Sequence, residues 1–301
     1  MPPNILPSPP DFVAGPWAAW GFFFVAGAAA VLVALPWAIY AGTRKGNWVP
    51  VTVIGSGFLC SLVEPMLDFL GHLRWARDLP GPAFVNFGIE IPYLIPPCYA
   101  AFLGLEAYFC YFMLRRGITV RQCFLVFAVG GLTDAIMETI GLNLHTYEYY
   151  GVQPYRFLEF PYWWGFINGA SFCTGGFLLW FLVPRLRGVR RAWLLLVSPS
   201  AMMATYFVCG WPYILATNAA VPAWVKWVAA TIMMAFCLVA VRGMAYFAAI
   251  PEPNLNWTFA RMFVYRVMTP GARQRLEAKM AHAVGLSIGG DTRKPIPRPS
   301  R

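Results

Sequence analysis

Residues 130–151 read GGLTDAIMETIGLNLHTYEYYG, and they combine an apolar stretch with several ionisable side chains. Asp134 and Glu138 are four residues apart, so a helix through this segment places both carboxyls on one face. An apolar run from residue 123 leads into the segment. Ionisable groups at membrane depth are costly and by default indicate a functional site. The segment therefore predicts a membrane helix that carries a polar site.

The composition of the whole chain also indicates a membrane protein. Of the 301 residues, 59% are hydrophobic and only 12% are charged, and the mean hydropathy is +0.56. A soluble domain usually has about twice this charged fraction. Several apolar runs reach the ~20 residues that a helix needs to cross a bilayer. We therefore expect an all-α fold, a polytopic membrane bundle.

Seven apolar runs are long enough to be transmembrane helices, and short polar loops separate them. The runs are residues 17–40, 48–70, 89–114, 123–144, 161–183, 192–217 and 222–249. Together they predict a seven-helix transmembrane domain over residues 17–250. Residues 1–16 are expected to form an irregular N-terminal lead, and residues 251–301 a basic cytoplasmic tail.

The Lys and Arg residues are distributed unevenly between alternate loops. With the N-terminus outside, 19 of the 23 fall on the cytoplasmic side and four on the outer side. This asymmetry predicts an outer N-terminus, a cytoplasmic C-terminus and a multi-pass protein of the inner (plasma) membrane. It also accounts for the net charge of +10 without a nucleic-acid partner, since no basic groove-reading motif is present.

Polar residues from several predicted spans meet in the outer half of the membrane under this topology. A second acidic pair, Glu64 and Asp68, has the same four-residue spacing as Asp134 and Glu138. The candidate catalytic residues are Glu64, Asp68, Asp134 and Glu138. The candidate substrate-binding residues are Glu90, His145, Tyr147, Tyr149, Trp164 and Asn168.

The expected chemistry of these carboxyls is proton transfer. Two carboxylates at this spacing repel each other when both are ionised, and a low-dielectric bundle disfavours the charged form. We therefore expect at least one member of each pair to be protonated near neutral pH. Glu138 or Asp134 would act as the acid, Glu64 or Asp68 as the base, and His145 would shuttle protons at the mouth. The alternative is structural: buried carboxyls also bond hydroxyls and backbone groups between helices, and aromatic residues form interfacial belts.

Metal and redox centres are not expected. The seven cysteines all lie within apolar runs, and none is in a CxxC pair, so we predict neither a disulfide framework nor a zinc site. No metal and no cofactor is expected. The expected partners are a lipophilic small-molecule substrate and the bilayer itself. The many small residues in the spans also allow a homo-oligomer.

Three short motifs resemble the actinobacterial spirocyclases of the AveC type. These motifs are Glu64-Pro65-Met66-Leu67-Asp68, the pair Asp134 and Glu138, and Tyr147-x-Tyr149-x-Gly151. The resemblance covers about residues 50–185, and the family often has Asp-Pro in place of Glu64-Pro65. It implies an integral membrane enzyme that closes a dihydroxy-ketone into a spiroketal, with loss of water and without a cofactor.

Other functional classes fit parts of the same pattern. A small membrane terpene cyclase also protonates its substrate with buried acids. A proton-coupled transporter of a small lipophilic molecule uses carboxylates as proton relays, although the chain has no internal repeat. A receptor or a structural membrane protein also remains open. A prenyltransferase of the UbiA type is disfavoured, because its acidic motifs face the cytoplasm beside basic residues.

Overall fold

The chain is built mostly from helices. A computed structural model describes residues 7–249, residue 268 and residues 275–276, so the predictions for residues 1–6 and for most of the basic tail lie outside the described residues. The helices are α1 (Pro16–Ala28), a π-helical segment (Ala29–Ala34), α2 (Leu35–Lys45), α3 (Val49–Cys60), a 3₁₀ turn (Ser61–Val63), α4 (Glu64–Gly71), α5 (Ile95–Arg115), α6 (Val120–Asn143), α7 (Trp163–Leu182), a 3₁₀ segment (Gly188–Leu196), α8 (Val197–Val208), α9 (Trp211–Thr217) and α10 (Ala223–Ala248).

Several of these helices are long and apolar enough to cross a membrane. Five stretches qualify on their own: Val49–Gly71, Ile95–Arg115, Val120–Asn143, Trp163–Leu182 and Ala223–Ala248. The pair Gly188–Val208 and Trp211–Thr217 qualifies only as one broken span, with a bend of 68° between its members. The described residues therefore form a multi-helix membrane protein with five or six such spans.

The span Val49–Gly71 is interrupted where its acidic motif begins. Pro65 has no backbone N–H to bond the carbonyl oxygen four residues before it, and its ring crowds that carbonyl, so the α-helix is broken just upstream. A 3₁₀ turn at Ser61–Val63 separates α3 from α4. Glu64 is the first residue of α4 and is buried. The carboxyl of Glu64 is therefore buried in the bundle next to an irregular part of the backbone.

Three short two-stranded sheets are an addition to the all-α fold expected from the sequence. Strand β1 (Leu73–Trp75) pairs antiparallel with β4 (Tyr147–Tyr149), so the loops after α4 and α6 lie side by side. The other two sheets pair β2 (Phe84–Asn86) with β3 (Ile89–Ile91), and β5 (Arg156–Phe157) with β6 (Phe160–Pro161). Strands of two or three residues form because they pair with segments elsewhere in the fold. The hydrophobic periodicity of the local sequence does not reveal such pairing.

The helix predicted over residues 89–114 begins later than residue 89 in the structure. Glu90 lies in β3, and the helix α5 starts at Ile95. Pro96 and Pro97 explain the difference, because proline fits the first turn of a helix but not its interior. Helix α6 starts at Val120, preceded by a capping box in which Thr119 and Gln122 bond reciprocally to each other's backbone N–H groups.

Helices α6 and α7 cross with almost no side chain between them. A Cβ atom added at Gly131 would lie 2.7 Å from the carbonyl oxygen of Gly165, and one added at Gly169 would lie 2.9 Å from that of Phe127. Such small-residue crossings let helix backbones approach closely in membranes. Here the crossing brings the following turns of α6 beside α7, where Asp134 and Asn168 meet.

Candidate functional site

A cavity of about 450 Å³ lies within the bundle, and α5 and α6 provide much of its wall. Pockets for small organic ligands typically have about 300–1,000 Å³. The lining is largely apolar, with four carboxyls and a few other polar groups. The lining residues are Val25, Glu64, Leu73, Trp75, Leu94, Ile95, Cys98, Tyr99, Ala101, Phe102, Leu103, Leu105, Glu106, Asp134, Met137, Glu138, Tyr147, Asn168 and Met202.

The two oxygens of Asp134 have different surroundings. The Asn168 amide donates to Oδ1 at 2.8 Å, while the Tyr206 hydroxyl donates to the Asn168 amide oxygen at 2.6 Å. Because the amide oxygen accepts from Tyr206, the amide NH₂ must face Asp134. Asp134 is 2% exposed, and its Oδ2 has no hydrogen-bond partner among the described residues. The hydrogen bonds from Tyr206 to Asn168 and from Asn168 to Asp134 therefore keep Oδ1 of Asp134 as an acceptor. Oδ2 of Asp134 is left for a proton or a ligand.

Glu138 lies one helical turn beyond Asp134 and has tyrosine partners. The Tyr149 hydroxyl donates to Oε2 of Glu138 at 2.8 Å, and the Tyr147 hydroxyl donates to the Glu138 backbone oxygen at 3.3 Å. Burial and the nearby Glu138 charge raise the pKa of both phenols well above its ordinary value. Both tyrosines therefore stay protonated as donors. A hydrogen bond donated to a carboxylate favours its ionised form, which suits Glu138 to accept a proton.

Glu64 and Glu106 complete the set of carboxyls in the cavity wall. Glu64 accepts a hydrogen bond from Tyr99 on α5, and it interacts electrostatically with Glu138 and Asp134. Oε1 of Glu106 lies 2.6 Å from the Thr133 hydroxyl, and its Oε2 is buried without a hydrogen-bond partner within the described part of the chain. Both carboxyls are therefore held by a hydroxyl from a side chain.

Asp68 was predicted to be catalytic, but it is not among the residues that line the cavity. It is 2% exposed, and its Oδ2 accepts the indole N–H of Trp75 at 2.8 Å. The i,i+4 spacing placed Glu64 and Asp68 on one face of a regular helix. Both residues belong to α4, but of the two only Glu64 lines the cavity, and the Asp68 carboxyl is bonded to Trp75. Asp68 instead orients Trp75, whose ring lines the cavity.

Two of the predicted substrate-binding residues lie outside the site. Glu90 is exposed on β3 and is not among the residues that line the cavity, because the chain is a strand there and α5 begins only at Ile95. His145 is exposed in the turn after α6 and has a backbone φ of 53°. The turn directs this side chain to the surface, so a role as a proton shuttle at the cavity has no geometric support.

The other predicted binding residues are close to the carboxyls but have different positions. Tyr147 and Asn168 line the cavity. Tyr149 and Trp164 are buried behind this lining, with ring centroids 5.4 Å apart, and Trp164 also packs against Tyr206 at 5.5 Å. These two residues therefore support the groups that line the cavity.

Several site residues were missed by the sequence prediction. Glu106 is a carboxyl in an apolar span, the same signal that selected Asp134, and it could have been included on that ground. Tyr99 and Tyr206 carry no such signal, because a tyrosine in a membrane helix is common, and only the packing of α5 and α8 brings them to Glu64 and Asn168. Trp75 lies in a loop by sequence, and its position depends on the β1–β4 pairing.

The charged residue types that line the cavity are all acidic. Of the described residues that line the cavity, none is a lysine, arginine or histidine. Within residues 7–249 no group of three or more His, Cys, Asp or Glu side chains has a geometry suited to a metal ion. The four carboxyls must therefore be neutralised by protons or by a positively charged guest.

No protein-family model matches the chain, and no curated protein and no solved structure matches it either.

Proposed function

We propose that this protein is an integral membrane cyclase that closes a lipophilic dihydroxy-ketone into a spiroketal, as the resemblance to spirocyclases of the AveC type implies. The observation that carries the proposal is the arrangement of Asp134 and Glu138. One carboxyl has an unpartnered oxygen, the other accepts from a tyrosine, and both line one largely apolar cavity. A protonated carboxyl beside an ionised one supplies general acid–base catalysis.

Asp134 and Glu138 have different roles in the proposed reaction. One substrate hydroxyl adds to the ketone and forms a hemiketal. Asp134 donates the proton on Oδ2 to the hemiketal hydroxyl, the C–O bond breaks, and water leaves an oxocarbenium ion. The second hydroxyl attacks this cation and gives its proton to Glu138. One water is released, and transfer of a proton from Glu138 to Asp134 restores the starting state.

The surroundings favour the cationic intermediate over the neutral reactants. The wall supplies carboxyls and the aromatic rings of Trp75 and Tyr147, whose centroids are 4.8 Å apart. Fixed negative charge and ring faces stabilise a developing positive charge in a low-dielectric site. The apolar remainder of the lining disfavours bulk water, which would otherwise reopen the ketal.

We further propose seven crossings, with the N-terminus outside and the C-terminus in the cytoplasm. The continuous helical segment of residues 16–45 supplies the crossing beyond the five long helices and the bent pair. In this orientation the strand-bearing loops and the carboxyl cavity face the outer half of the plasma membrane. The distribution of Lys and Arg between the loops supports this orientation.

A transporter is the second candidate, and the broken helices favour it. The bend of 68° between α8 and α9, and the break before α4, are features that transporters use at substrate sites. A proton-coupled carrier would use the same carboxyls as relays without converting its cargo.

The test compares lipophilic metabolites by mass spectrometry in cells that carry the wild-type gene or the Glu138→Gln variant. We expect the variant to insert and fold, to lose the product and to accumulate a precursor heavier than that product by one water. Glu159→Gln, an exposed carboxyl paired with Arg156, is the matched control and should behave as wild type.

Other outcomes assign other functions. A product of equal mass to its precursor would indicate a terpene-type isomerising cyclase. An unchanged set of compounds with an altered distribution across the membrane would indicate transport. An active Glu138→Gln protein would contradict the assignment of Glu138 as the base.

A further inference from the structure

The cavity has more carboxyls than an acid–base pair requires. Four carboxyls line it, and no described lining residue is cationic. Each ionised carboxyl in such surroundings is costly unless a positive charge pairs with it. An anionic guest, such as a fatty acid or a phosphate ester, would add to the repulsion. The charge of the wall therefore selects for guests that are neutral or positive.

One position in the cavity suits a positive charge in particular. Oδ2 of Asp134 is buried without a hydrogen-bond partner among the described residues, while its Oδ1 is occupied by Asn168. Glu138, one turn away, uses Oε2 for Tyr149. When Asp134 gives its proton to an amine, or releases it as a protonated amine binds, Oδ2 becomes a charged acceptor for the ammonium N–H, and hydrogen bonds between ions are the strong ones.

Aromatic rings lie in the same wall. Trp75 and Tyr147 line the cavity and contact each other at a tilt of 57°. The Trp75 ring is fixed because its N–H donates to Asp68. A cation over such ring faces gains attraction from the ring quadrupole, most strongly in a desolvated site.

We propose that this cavity binds protonated lipophilic amines, with the ammonium group on Asp134 and the apolar body along α5. The proposal rests on the proposed function in one respect: an ammonium ion mimics the oxocarbenium charge, so such amines should also inhibit the cyclisation. Groups that resemble a transition state bind more tightly than the substrate does.

The test uses three small-molecule probes that have carbon chains of the same length and different head groups. N,N-dimethyldecylamine is cationic, decanol is neutral and decanoate is anionic. Binding to the full-length protein in lipid nanodiscs is measured by the shift of the unfolding temperature and by calorimetry. We expect saturable binding of the amine, weaker binding of decanol and no saturable binding of decanoate.

Variants separate the site from partition into the bilayer. Asp134→Asn should weaken amine binding by about tenfold or more, which corresponds to the loss of one charged hydrogen bond, and Glu159→Gln should leave it unchanged. If Asp134→Asn does not fold, Glu138→Gln serves the same purpose. Equal binding of amine and alcohol, or equal amine binding by wild type and both cavity variants, would overturn the proposal.

The two proposals can fail separately. A wild-type protein that forms the dehydrated product but neither binds nor is inhibited by the amine would refute the amine site alone. A protein that binds the amine at Asp134 but forms no dehydrated product would refute the cyclase and retain the site.

Discussion

At the residue scale, the two carboxyls of α6 differ because of their hydrogen-bond partners. Asp134 receives an amide N–H on one oxygen, and Glu138 receives a phenol. The cost of burying charge was enough to select both residues from the sequence. Their separate roles could not be predicted, because Tyr206 and Tyr149 reach them through packing and strand pairing. Asn168, which was expected to bind substrate, lines the cavity, and its amide also bonds Asp134 on one side and Tyr206 on the other.

Tyr206→Phe should reduce turnover without preventing folding, because it removes the bond that orients Asn168 toward Asp134. Loss of a buried hydrogen bond costs about 1–3 kcal/mol of unfolding free energy. We expect kcat to fall several-fold while KM stays near the wild-type value.

The matched control is Tyr213→Phe. Tyr213 is also buried, and its hydroxyl donates to Val152 and Gln153, outside the cavity. Both variants should lose similar stability in thermal unfolding, and only Tyr206→Phe should lose turnover. Equal kinetic effects would show that Tyr206 has no orienting role.

His72 should make the stability of the protein depend on pH. It follows the end of α4, and burial lowers the pKa of its imidazole, with a further contribution from the positive charge of Lys226 and an opposing one from the hydrogen bond to Asn218. The folded pKa is below the unfolded value of about 6.5, so the unfolded chain binds more protons between the two values. This contribution to stability is fully present above pH ~6.5 and is lost as the pH falls toward the folded pKa.

His72→Asn tests this dependence, because Asn tolerates the positive φ of 60° at this position. Unfolding temperatures in detergent are compared at neutral and mildly acidic pH. The wild type should lose more stability on acidification than the variant. The same loss in both proteins would rule out His72 as the source.

At the element scale, the long apolar helices were predictable, whereas the start of α5 and the short strands were not. A long apolar run identifies a membrane helix, so α6, α7 and α10 agree closely with their predicted ranges. The start of α5 depends on how two prolines fit a first turn, and the strands depend on partners far along the chain. Neither the start of α5 nor the strands produce a repeating hydrophobic pattern in the local sequence. The sequence alone does not show which two helices pack against each other at the glycines of α6 and α7.

The glycine crossing of α6 and α7 should be essential for holding Asp134 beside Asn168. In Gly131→Ala the new methyl group would meet the Gly165 carbonyl at 2.7 Å, and overpacking of this kind costs about 1–3 kcal/mol. Gly243→Ala on α10 has nothing within 4 Å and should be neutral or slightly stabilising, since Ala favours helix by up to ~1 kcal/mol over Gly.

Thermal unfolding of both alanine variants in one detergent compares the two sites. Only Gly131→Ala should lower the unfolding temperature, and it should also reduce product formation. A Gly131→Ala protein as stable and active as Gly243→Ala would mean that the close crossing is dispensable.

At the scale of the whole molecule, the cavity depends on parts that are far apart in the sequence. Its wall includes residues of α1, α4, α5, α6, α7 and α8, and the pairing of β1 with β4 brings Trp75 and Tyr147 into the same wall. The convergence of acids from several spans was predictable, because topology limits where each half-span lies. The cavity itself was not, because its volume depends on how closely the helices pack.

Reporter fusions should reveal the proposed orientation. A fusion after Gly117, in the loop between α5 and α6, should be fluorescent with green fluorescent protein and inactive with alkaline phosphatase. A fusion after Leu158, between α6 and α7, should show the opposite pair of results. The reverse pattern at both sites would mean that the molecule is inverted in the membrane.

The most direct test of the central claim uses the purified protein in nanodiscs and the lipophilic extract of cells that carry Glu138→Gln. We predict that the wild-type protein converts the accumulated precursor, without added cofactor, into a product lighter by one water. Asp134→Asn should fail in the same assay, while Glu159→Gln should match the wild type. Absence of conversion by the wild-type protein, or equal conversion by Asp134→Asn, would contradict catalysis by the cavity carboxyls.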